Sequence, residues 1–333
     1  MIGCRHEKQQ QQDINDQPVE TVDKIVVAYA SAGGGVLPNP HDITHVNMAF
    51  GNVNRSYDGV DVRDTLFLRQ LIDLKQQNKD LKVLLSIGGW TSGGFSEMAS
   101  TAETRSAFVA SCCQIVDKFQ LDGIDLDWEY PSSDEAGITA SPNDIDNFTS
   151  LIKELRMKLG ATKLITIATI ADALYVDFAA IKDDVDYVNV MMYDVARPPF
   201  HHSAVFRCSL AGRITVEEAL KAHEQAGLPK DKIVLGVPFY GHGIDKISDF
   251  IDYADIEHLD GYRYVWNDTA HVPCLLNNDD KIVLCFDDSA SIAYKCQYVV
   301  DNAYKGIMYW ETKCDNNKFL LSKVISSMLL SAE

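Results

Sequence analysis

The sequence predicts an α/β fold, a closed (β/α)8 TIM barrel with a small insertion after the seventh strand. From about residue 23 onward, short runs rich in β-branched residues alternate with stretches of helical period. This alternation is typical of a parallel sheet whose strands are joined by helices. The runs number eight, and a chain of 333 residues is long enough for a barrel of eight such units.

The predicted strands are short and are bounded by polar or turn-forming residues. In chain order they are Lys24–Ala30, His45–Phe50, Val83–Ile87, Gly123–Glu129, Leu164–Ala168, Tyr187–Tyr193, Ile233–Phe239 and Gly306–Trp310. In a parallel barrel the carboxyl ends of the strands meet at one mouth, where the chemistry of such folds is found.

The predicted helices have apolar residues at helical spacing along one face. They are Thr65–Gln77, Arg105–Phe119, Asn143–Leu159, Val216–Gln225, Ser289–Asn302 and Lys318–Leu330. Residues 243–284 interrupt the alternation, and loops longer than about 15 residues usually carry a function or small elements of their own. We therefore expect one barrel domain, residues 23–333, with a reduced insertion at about 243–284 that walls one side of a cleft.

The first 22 residues predict a flexible, polar tether, because they contain a run of glutamines and little that could be buried. Cys4 follows Met1, Ile2 and Gly3, which resembles the lipidation point of a bacterial lipoprotein signal. No basic and apolar leader precedes it. We therefore expect an exported lipoprotein whose signal has been trimmed, with a lipid anchor at Cys4 at the cell envelope or surface; the alternative is a chance match in a secreted or cytoplasmic protein.

The formal net charge of −18 argues against nucleic acid as a partner, since this charge repels phosphate backbones. A neutral polymer, or one that carries some free amines, would not be repelled and is compatible with this charge. The eight cysteines have neither the spacing of a zinc site nor that of a disulfide framework. We expect no cofactor and no metal, and the chain is expected to act as a monomer.

An acidic run at the fourth strand carries the chemistry. Side chains alternate between the two faces of a strand, so Asp125, Asp127 and Glu129 share one face. The other face carries Ile124 and Leu126, which suit contact with the helices. The three acids must then point into the barrel, where an unpaired carboxylate costs several kcal/mol, of order 5.

Neighbouring buried carboxyl groups cannot all ionise, so at least one pKa rises. A carboxylic acid that is still protonated near neutral pH is what cleavage of a glycosidic bond requires, because the leaving oxygen must receive a proton. Glu129 is the last acid on the strand and the nearest to the mouth. It is therefore the predicted general acid.

The spacing Asp122-x-x-Asp125-x-Asp127-x-Glu129 resembles the signature of glycoside hydrolase family 18, the chitinases and their relatives. Four other segments resemble motifs of that family in the same order along the chain. They are Ser86-Ile87-Gly88-Gly89-Trp90, Met191-Met192-Tyr193-Asp194, Gly236-Val237-Pro238-Phe239-Tyr240-Gly241 and Gly306-Ile307-Met308-Tyr309-Trp310-Glu311. The resemblance covers roughly residues 23–315.

The resemblance implies a retaining glycosidase that hydrolyses β-1,4-linked N-acetylglucosamine polymers by substrate-assisted catalysis. Glu129 would protonate the glycosidic oxygen, and the 2-acetamido oxygen of the substrate would attack the anomeric carbon. Asp127 would hold the acetamido N–H, and Asp125 would share a proton with Asp127. Tyr193 would donate a hydrogen bond to the acetamido oxygen.

The resemblance also implies a set of substrate-binding residues. Trp310 would stack beneath the sugar at the cleavage point, Asp194 would contact sugar hydroxyls or the acid, and Ser86 would bond to the inner aspartates. The remaining candidates are Met191, Tyr240 and the cleft-lining aromatic residues Phe50, Trp90 and Tyr29; Phe50 and Tyr29 could equally be packing residues.

Two other functions share this barrel. An endo-β-N-acetylglucosaminidase acting on N-glycans would usually carry an amide in place of Asp194 and often lacks Trp310, and a chitin-binding lectin would have lost Glu129.

One position departs from the resemblance: His242 follows Gly241 where the family's chitinases commonly have arginine. The pair His201 and His202 lacks further ligands at metal-binding spacing.

Overall fold

The computed structural model describes residues 23–330 and contains a closed barrel of eight parallel strands. Every neighbouring pair is parallel, and β1 pairs with both β2 and β8, which closes the ring. The strands are β1 (Ile25–Ser31), β2 (His45–Val53), β3 (Lys82–Gly88), β4 (Gly123–Asp127), β5 (Leu164–Ile170), β6 (Tyr187–Met191), β7 (Ile233–Pro238) and β8 (Gly306–Trp310). The predicted fold class is confirmed.

Helices surround the barrel, except that the short helix Tyr253–Ile256 packs on a small sheet inserted between β7 and β8. They are α1 (Thr65–Asp73), α2 (Phe95–Ala99), α3 (Ala102–Phe119), α4 (Asp144–Leu159), α5 (Phe178–Ile181), α6 (Val216–Gln225), α7 (Tyr253–Ile256), α8 (Ser289–Asp301) and α9 (Leu320–Leu329). Thr215 and Glu218 form a capping box that fixes the start of α6. None of the helices in residues 23–330 is long and apolar enough to cross a membrane.

Two predicted strand ends that bear on the site lie two residues beyond the observed ones. We expected the fourth strand to reach Glu129 and the sixth to reach Tyr193, but β4 ends at Asp127 and β6 at Met191. The ladder between β3 and β4 stops at the pair Gly88 and Asp127. The functional side chains at the mouth therefore stand on loops just beyond the strands.

Between β7 and α8 the chain forms a small antiparallel sheet of five strands. The strands are Tyr240–Gly243, Ile251–Asp252, Arg263–Asn267, Val272–Leu276 and Ile282–Cys285. Its apolar residues, which include Ile247, Val283 and Leu284, form a separate buried cluster beside the main core. The first strand follows β7 almost directly, so the sheet starts at the barrel mouth.

Candidate active site

Asp125 is fully buried inside the barrel and is held by four neighbours. Its Oδ2 accepts hydrogen bonds from the hydroxyls of Tyr29 and Ser86, each at 2.7 Å. Its Oδ1 accepts from the hydroxyl of Thr166 at 2.5 Å and from the amide of Asn189 at 3.4 Å. Burial raises the pKa of Asp125, while these donors oppose the rise. Donors from β1, β3, β5 and β6 thus converge on one carboxyl group.

Asp127 stands one layer above Asp125, with 3% of its surface exposed. Its Oδ1 has no hydrogen-bond partner among residues 23–330. Burial, together with the charges of Glu129 and Asp125, holds the pKa of Asp127 well above its usual range. Asp127 is therefore a carboxyl group with a strong tendency to hold a proton and a free oxygen for a ligand.

Glu129 is partly exposed at the barrel mouth, two residues after the end of β4. Burial raises the pKa of Glu129 to about 7, against a hydrogen bond from Tyr130 that lowers it; the charge of Asp194 raises it further. Glu129 and Asp127 are close enough to disfavour each other's ionisation. The pair can therefore keep a proton near neutral pH, as a general acid must.

The turn after β3 lets the backbone approach this pair closely. Gly88 has a φ of +125°, and a Cβ atom there would lie 2.0 Å from the carbonyl oxygen of Asp127. The N–H of Gly89 donates to the same carbonyl at 2.8 Å. Only glycine fits at position 88, and this contact fixes the end of β4 from which Glu129 projects.

Aromatic side chains line the mouth near Trp310. The ring of Phe50 stacks on Trp310 with centroids 5.5 Å apart and an interplanar angle of 16°, and both rings are partly exposed. Trp90 is 54% exposed and lies 6.4 Å from the ring of Tyr130. These surfaces suit the flat apolar faces of sugar rings.

Three predicted substrate-binding residues lie behind the accessible surface. Tyr29 and Tyr240 are each 2% exposed, and Ser86 is fully buried. The hydroxyls of all three donate to carboxylates, those of Tyr29 and Ser86 to Asp125 and that of Tyr240 to Asp194. Of the two alternatives for Tyr29, the structure agrees with packing rather than a place in the cleft lining, and Tyr240 is packed beneath Asp194.

Asp194 follows β6 and has a half-exposed side chain. Its Oδ1 accepts from the hydroxyl of Tyr240 at 2.6 Å and lies 2.6 Å from Nε2 of His242. Nδ1 of His202 is 3.9 Å from the same oxygen. Burial would raise the pKa of Asp194, but the two imidazoles and the Tyr240 hydroxyl hold it well below its usual range.

Tyr193 and Met191 complete the predicted set at the end of β6. Tyr193 is 9% exposed, and its hydroxyl makes only a long contact of 3.9 Å to the sulfur of Met308. Burial and the charge of Asp127 raise the pKa of Tyr193 well above its usual range. The hydroxyl is therefore a neutral donor with capacity left for a ligand, and Met191, the last residue of β6, is partly exposed.

The site contains residues that the sequence did not predict. Thr166 and Asn189 bond to Asp125, Tyr130 contacts Glu129, and His202 and His242 surround Asp194. The alternation of side chains along β5 and β6 could have pointed to Thr166 and Asn189, since both face the barrel interior. Residues 194, 202 and 242 are too far apart in the chain for spacing to reveal their contact.

The barrel and the acids at its mouth define a glycoside hydrolase. A family model described as "Glycosyl hydrolases family 18" matches residues 12–315, and the chain belongs to this family. The resemblance seen in the sequence is thereby confirmed.

Curated relatives and solved structures agree with this membership. The chain is 35% identical over 308 residues to chitinase A1 of Niallia circulans, covering 77% of this chain and 44% of that protein. It is 24% identical to chitinase B of Serratia marcescens, covering 82% of this chain and 73% of that protein. The chain thus spans less than half the length of the first of these relatives.

Among solved structures, a family 18 N-acetylglucosaminidase from Paenibacillus barengoltzii is 33% identical, with a TM-score of 0.82. The match covers 92% of this chain and 100% of that chain. The group IV chitinase of Ostrinia furnacalis in complex with allosamidin is 25% identical, with a TM-score of 0.83, covering 92% of this chain and 99% of that chain.

Proposed function

We propose that the protein hydrolyses chitin or chito-oligosaccharides with retention of configuration by substrate-assisted catalysis. The observation that carries the proposal is the pair Glu129 and Asp127, two carboxyl groups with raised pKa values at the barrel mouth. Relatives named as chitinases support the same substrate class. Trp310 and Phe50 supply an apolar platform beside the acids.

In the reactive complex the proton of the pair is on Glu129, and Asp127 is a carboxylate, because the acetamido N–H of the bound substrate donates to Asp127 and favours its ionised form. Glu129 gives its proton to the glycosidic oxygen as the bond from that oxygen to the anomeric carbon breaks. The acetamido oxygen of the same sugar forms the new bond, which yields an oxazolinium ion. Asp127 accepts the acetamido N–H and offsets the positive charge on the ring.

In the second step Glu129, now ionised, takes a proton from a water molecule whose oxygen attacks the anomeric carbon. The oxazolinium ring opens, the acetamido group is restored, and Glu129 is protonated again. Two inversions at one carbon leave the β configuration unchanged. The neutral hydroxyl of Tyr193 donates a hydrogen bond to the acetamido oxygen and orients that oxygen for attack.

Asp125 lies one layer below Asp127, and we expect the two carboxyl groups to share a proton. Both oxygens of Asp125 also accept hydrogen bonds from neutral donors. These donors oppose the rise that burial causes in the pKa of Asp125. When Asp125 is ionised, its charge raises the pKa of Asp127 from a fixed position.

A second candidate is the release of single N-acetylglucosamine units from chain ends. It is favoured by the match to the full length of the Paenibacillus barengoltzii N-acetylglucosaminidase. Cleavage of N-glycans and lectin binding are not favoured, because Asp194, Trp310 and Glu129 are all in place at the mouth. The reduced insertion favours internal cleavage instead, because a lower wall leaves a more open groove.

Product analysis separates these activities. We would incubate the protein with chito-oligosaccharides of defined length and, separately, with a high-mannose glycoprotein, and identify the products by mass spectrometry. A spread of intermediate lengths supports internal cleavage of chitin-type substrates. Release of monosaccharide alone supports the second candidate, and cleavage of the glycoprotein alone contradicts both.

The Glu129→Gln variant tests the acid. Because the amide cannot supply a proton, turnover of a fluorogenic chitobioside should fall by about 10²–10⁴-fold, while binding of chito-oligosaccharide is retained. Glu135→Gln, at an exposed position six residues along the chain, is the matched control and should keep wild-type activity. Unchanged turnover in Glu129→Gln contradicts the assignment.

Lipid attachment at Cys4 and export to the cell envelope also remain proposals, since Cys4 lies outside the described residues. They rest on the short signal-like segment around that cysteine. Expression behind a lipoprotein signal with labelled fatty acid tests them. Label in the wild type and none in Cys4→Ala supports the anchor, and an unlabelled wild type contradicts it.

A further inference from the structure

We propose that Asp194, His202 and His242 bind a divalent transition-metal ion such as Zn²⁺, and that the bound ion inhibits the enzyme. The ligand atoms of these three side chains lie within 4.8 Å of one another at the barrel mouth. Asp194 belongs to the proposed sugar-binding surface. The inhibitory effect therefore rests on the proposed function, whereas metal binding does not.

The hydrogen bonds of His242 fix which of its nitrogens carries a proton. Nδ1 lies 2.6 Å from the main-chain oxygen of Asp249. A carbonyl oxygen can only accept, so Nδ1 must carry the hydrogen. In a neutral imidazole Nε2 then presents a lone pair, and this nitrogen lies 2.6 Å from Oδ1 of Asp194.

Two lone pairs at that distance repel each other unless a cation lies between or beside them. The cation is either a second proton on His242 or a metal ion. A histidine that binds a metal through one ring nitrogen usually donates the N–H of the other to a carboxylate, a backbone carbonyl or water, as His242 donates to the main-chain oxygen of Asp249. The contact with Asp249 therefore prepares Nε2 of His242 as a ligand.

His202 is the independent observation that distinguishes the metal from the proton. Its side chain is 1% exposed, yet neither ring nitrogen has a hydrogen-bond partner among the described residues. Its Nδ1 is 3.9 Å from Oδ1 of Asp194, and its ring centroid is 4.7 Å from that of His242. A proton on His242 leaves His202 unsatisfied, whereas an ion between the rings gives it a partner.

The donor set and the spacing suit zinc. Two imidazoles and a carboxylate are a common three-ligand set for Zn²⁺, with water or substrate in the fourth position. Bonds of about 2.0–2.2 Å in tetrahedral geometry place ligand atoms about 3.3–3.5 Å apart. Oδ1 of Asp194 lies 2.6 Å from Nε2 of His242 and 3.9 Å from Nδ1 of His202. One distance is shorter than this tetrahedral spacing and the other is longer.

The ion also has an open path to the site. The Asp194 side chain is 50% exposed, whereas those of His202 and His242 are 1% and 3% exposed. An ion can enter from the groove past Asp194 and keep a water molecule on its outer side. Once bound, it holds the carboxylate that a sugar hydroxyl would otherwise contact, so substrate and metal compete.

Binding is measured directly by titrating the untagged, metal-free protein with Zn²⁺ in a calorimeter. We expect one site in the wild type and an affinity at least about tenfold lower in both His202→Ala and His242→Ala, since even indirect partners of a metal contribute that much. His201→Gln is the matched control: His201 is the neighbouring buried histidine, and its Nε2 contacts Asn267 instead. No single site in the wild type, or wild-type affinity in both alanine variants, overturns the proposal.

Cobalt substitution tests the ligands without any variant. Co²⁺ bound to two imidazoles and a carboxylate gives visible bands without the intense charge-transfer band of a thiolate. A strong thiolate band would place the ion on a cysteine and overturn the proposal. A chitobioside assay at increasing Zn²⁺ should show a rising apparent KM in the wild type. Absence of all turnover in the metal-free protein would contradict the proposed function but would not affect the binding result.

Discussion

The hydroxyl of Tyr29 donates a hydrogen bond to Oδ2 of Asp125 at 2.7 Å, which joins β1 to β4 through the barrel interior. Tyr29→Phe removes this donor and leaves a buried carboxyl group short of one partner. We expect the free energy of unfolding to fall by about 1–3 kcal/mol, measured by urea denaturation. The pKa of Asp125 should rise, because the lost hydrogen bond lowers it.

Tyr187→Phe is the matched control for that change. Tyr187 is also buried in the barrel, on β6, but its hydroxyl has no well-formed hydrogen bond to any other described group. Its removal should leave stability unchanged or slightly raised. Equal losses in both variants would show that the effect comes from packing and not from the bond to Asp125.

The activity of the enzyme should fall on the alkaline side with the ionisation of Glu129. Burial raises the pKa of this carboxyl group to about 7, and only its protonated form can donate to the leaving oxygen. Above that pH kcat/KM, which reports ionisations of the free enzyme, should drop about tenfold for each pH unit. A chitobioside assay from pH 5 to 9 tests this, and a rate that stays flat across the range contradicts it.

Stability should also depend on pH through the same carboxyl groups. The pKa values of Asp125, Asp127 and Glu129 are raised in the folded protein, so the folded state keeps protons that the unfolded chain has released. The free energy of unfolding is therefore highest at a pH below the pKa values that these carboxyl groups have in the unfolded chain. It falls as the pH rises through the higher pKa values that they have in the folded protein. For Glu129 the window runs from 4.5 to about 7.

Glu129→Gln removes one of these titrations. The total fall in the free energy of unfolding across that pH window should therefore be smaller in the variant, by about 1–3 kcal/mol. The measurement is the urea midpoint at several pH values for wild type and variant. Glu135→Gln, whose carboxylate is exposed, should follow the wild-type curve. Parallel curves for wild type and Glu129→Gln would contradict the raised pKa.

Trp310 and Phe50 should contribute to substrate binding as one stacked unit. Trp310→Ala removes the platform and should lower kcat/KM on chito-oligosaccharides by about tenfold or more, since one aromatic contact contributes about 0.5–1.5 kcal/mol beyond its buried area. Phe50→Leu leaves Trp310 without its support and should have a smaller effect. Met157→Ala, at a residue 72% exposed on the outer helix α4, is the control and should leave kcat/KM unchanged.

The sequence predicts the barrel and its acids because both follow from local patterns. The alternation of strands and helices sets the fold, and strand parity places Asp125 and Asp127 inside. What the sequence could not predict depends on contacts between distant segments, such as His202 and His242 meeting at Asp194. The sequence leaves Tyr29 open between cleft lining and packing for the same reason, since its burial depends on Asp125 lying across the barrel.

The buried ion pair of Lys295 and Asp287 offers a test of stability away from the acids. Both side chains are fully buried, and Nζ lies 2.5 Å from Oδ1, while the hydroxyl of Ser203 donates to the other oxygen. Lys295→Met leaves the charge of Asp287 without its counter-ion, which should cost about 3–5 kcal/mol. The double variant Lys295→Met with Asp287→Asn should recover part of this loss, because no charge is then left buried.

The exposed pair of Lys221 and Glu217 on α6 is the control for this experiment. Its atoms are 2.7 Å apart, but the lysine side chain is 56% exposed, so solvent screens the attraction. Lys221→Met should therefore lower the free energy of unfolding by less than about 0.5 kcal/mol. A loss in Lys295→Met no larger than that in Lys221→Met would contradict this prediction, because burial would then add nothing to the contribution of the Lys295–Asp287 pair to stability.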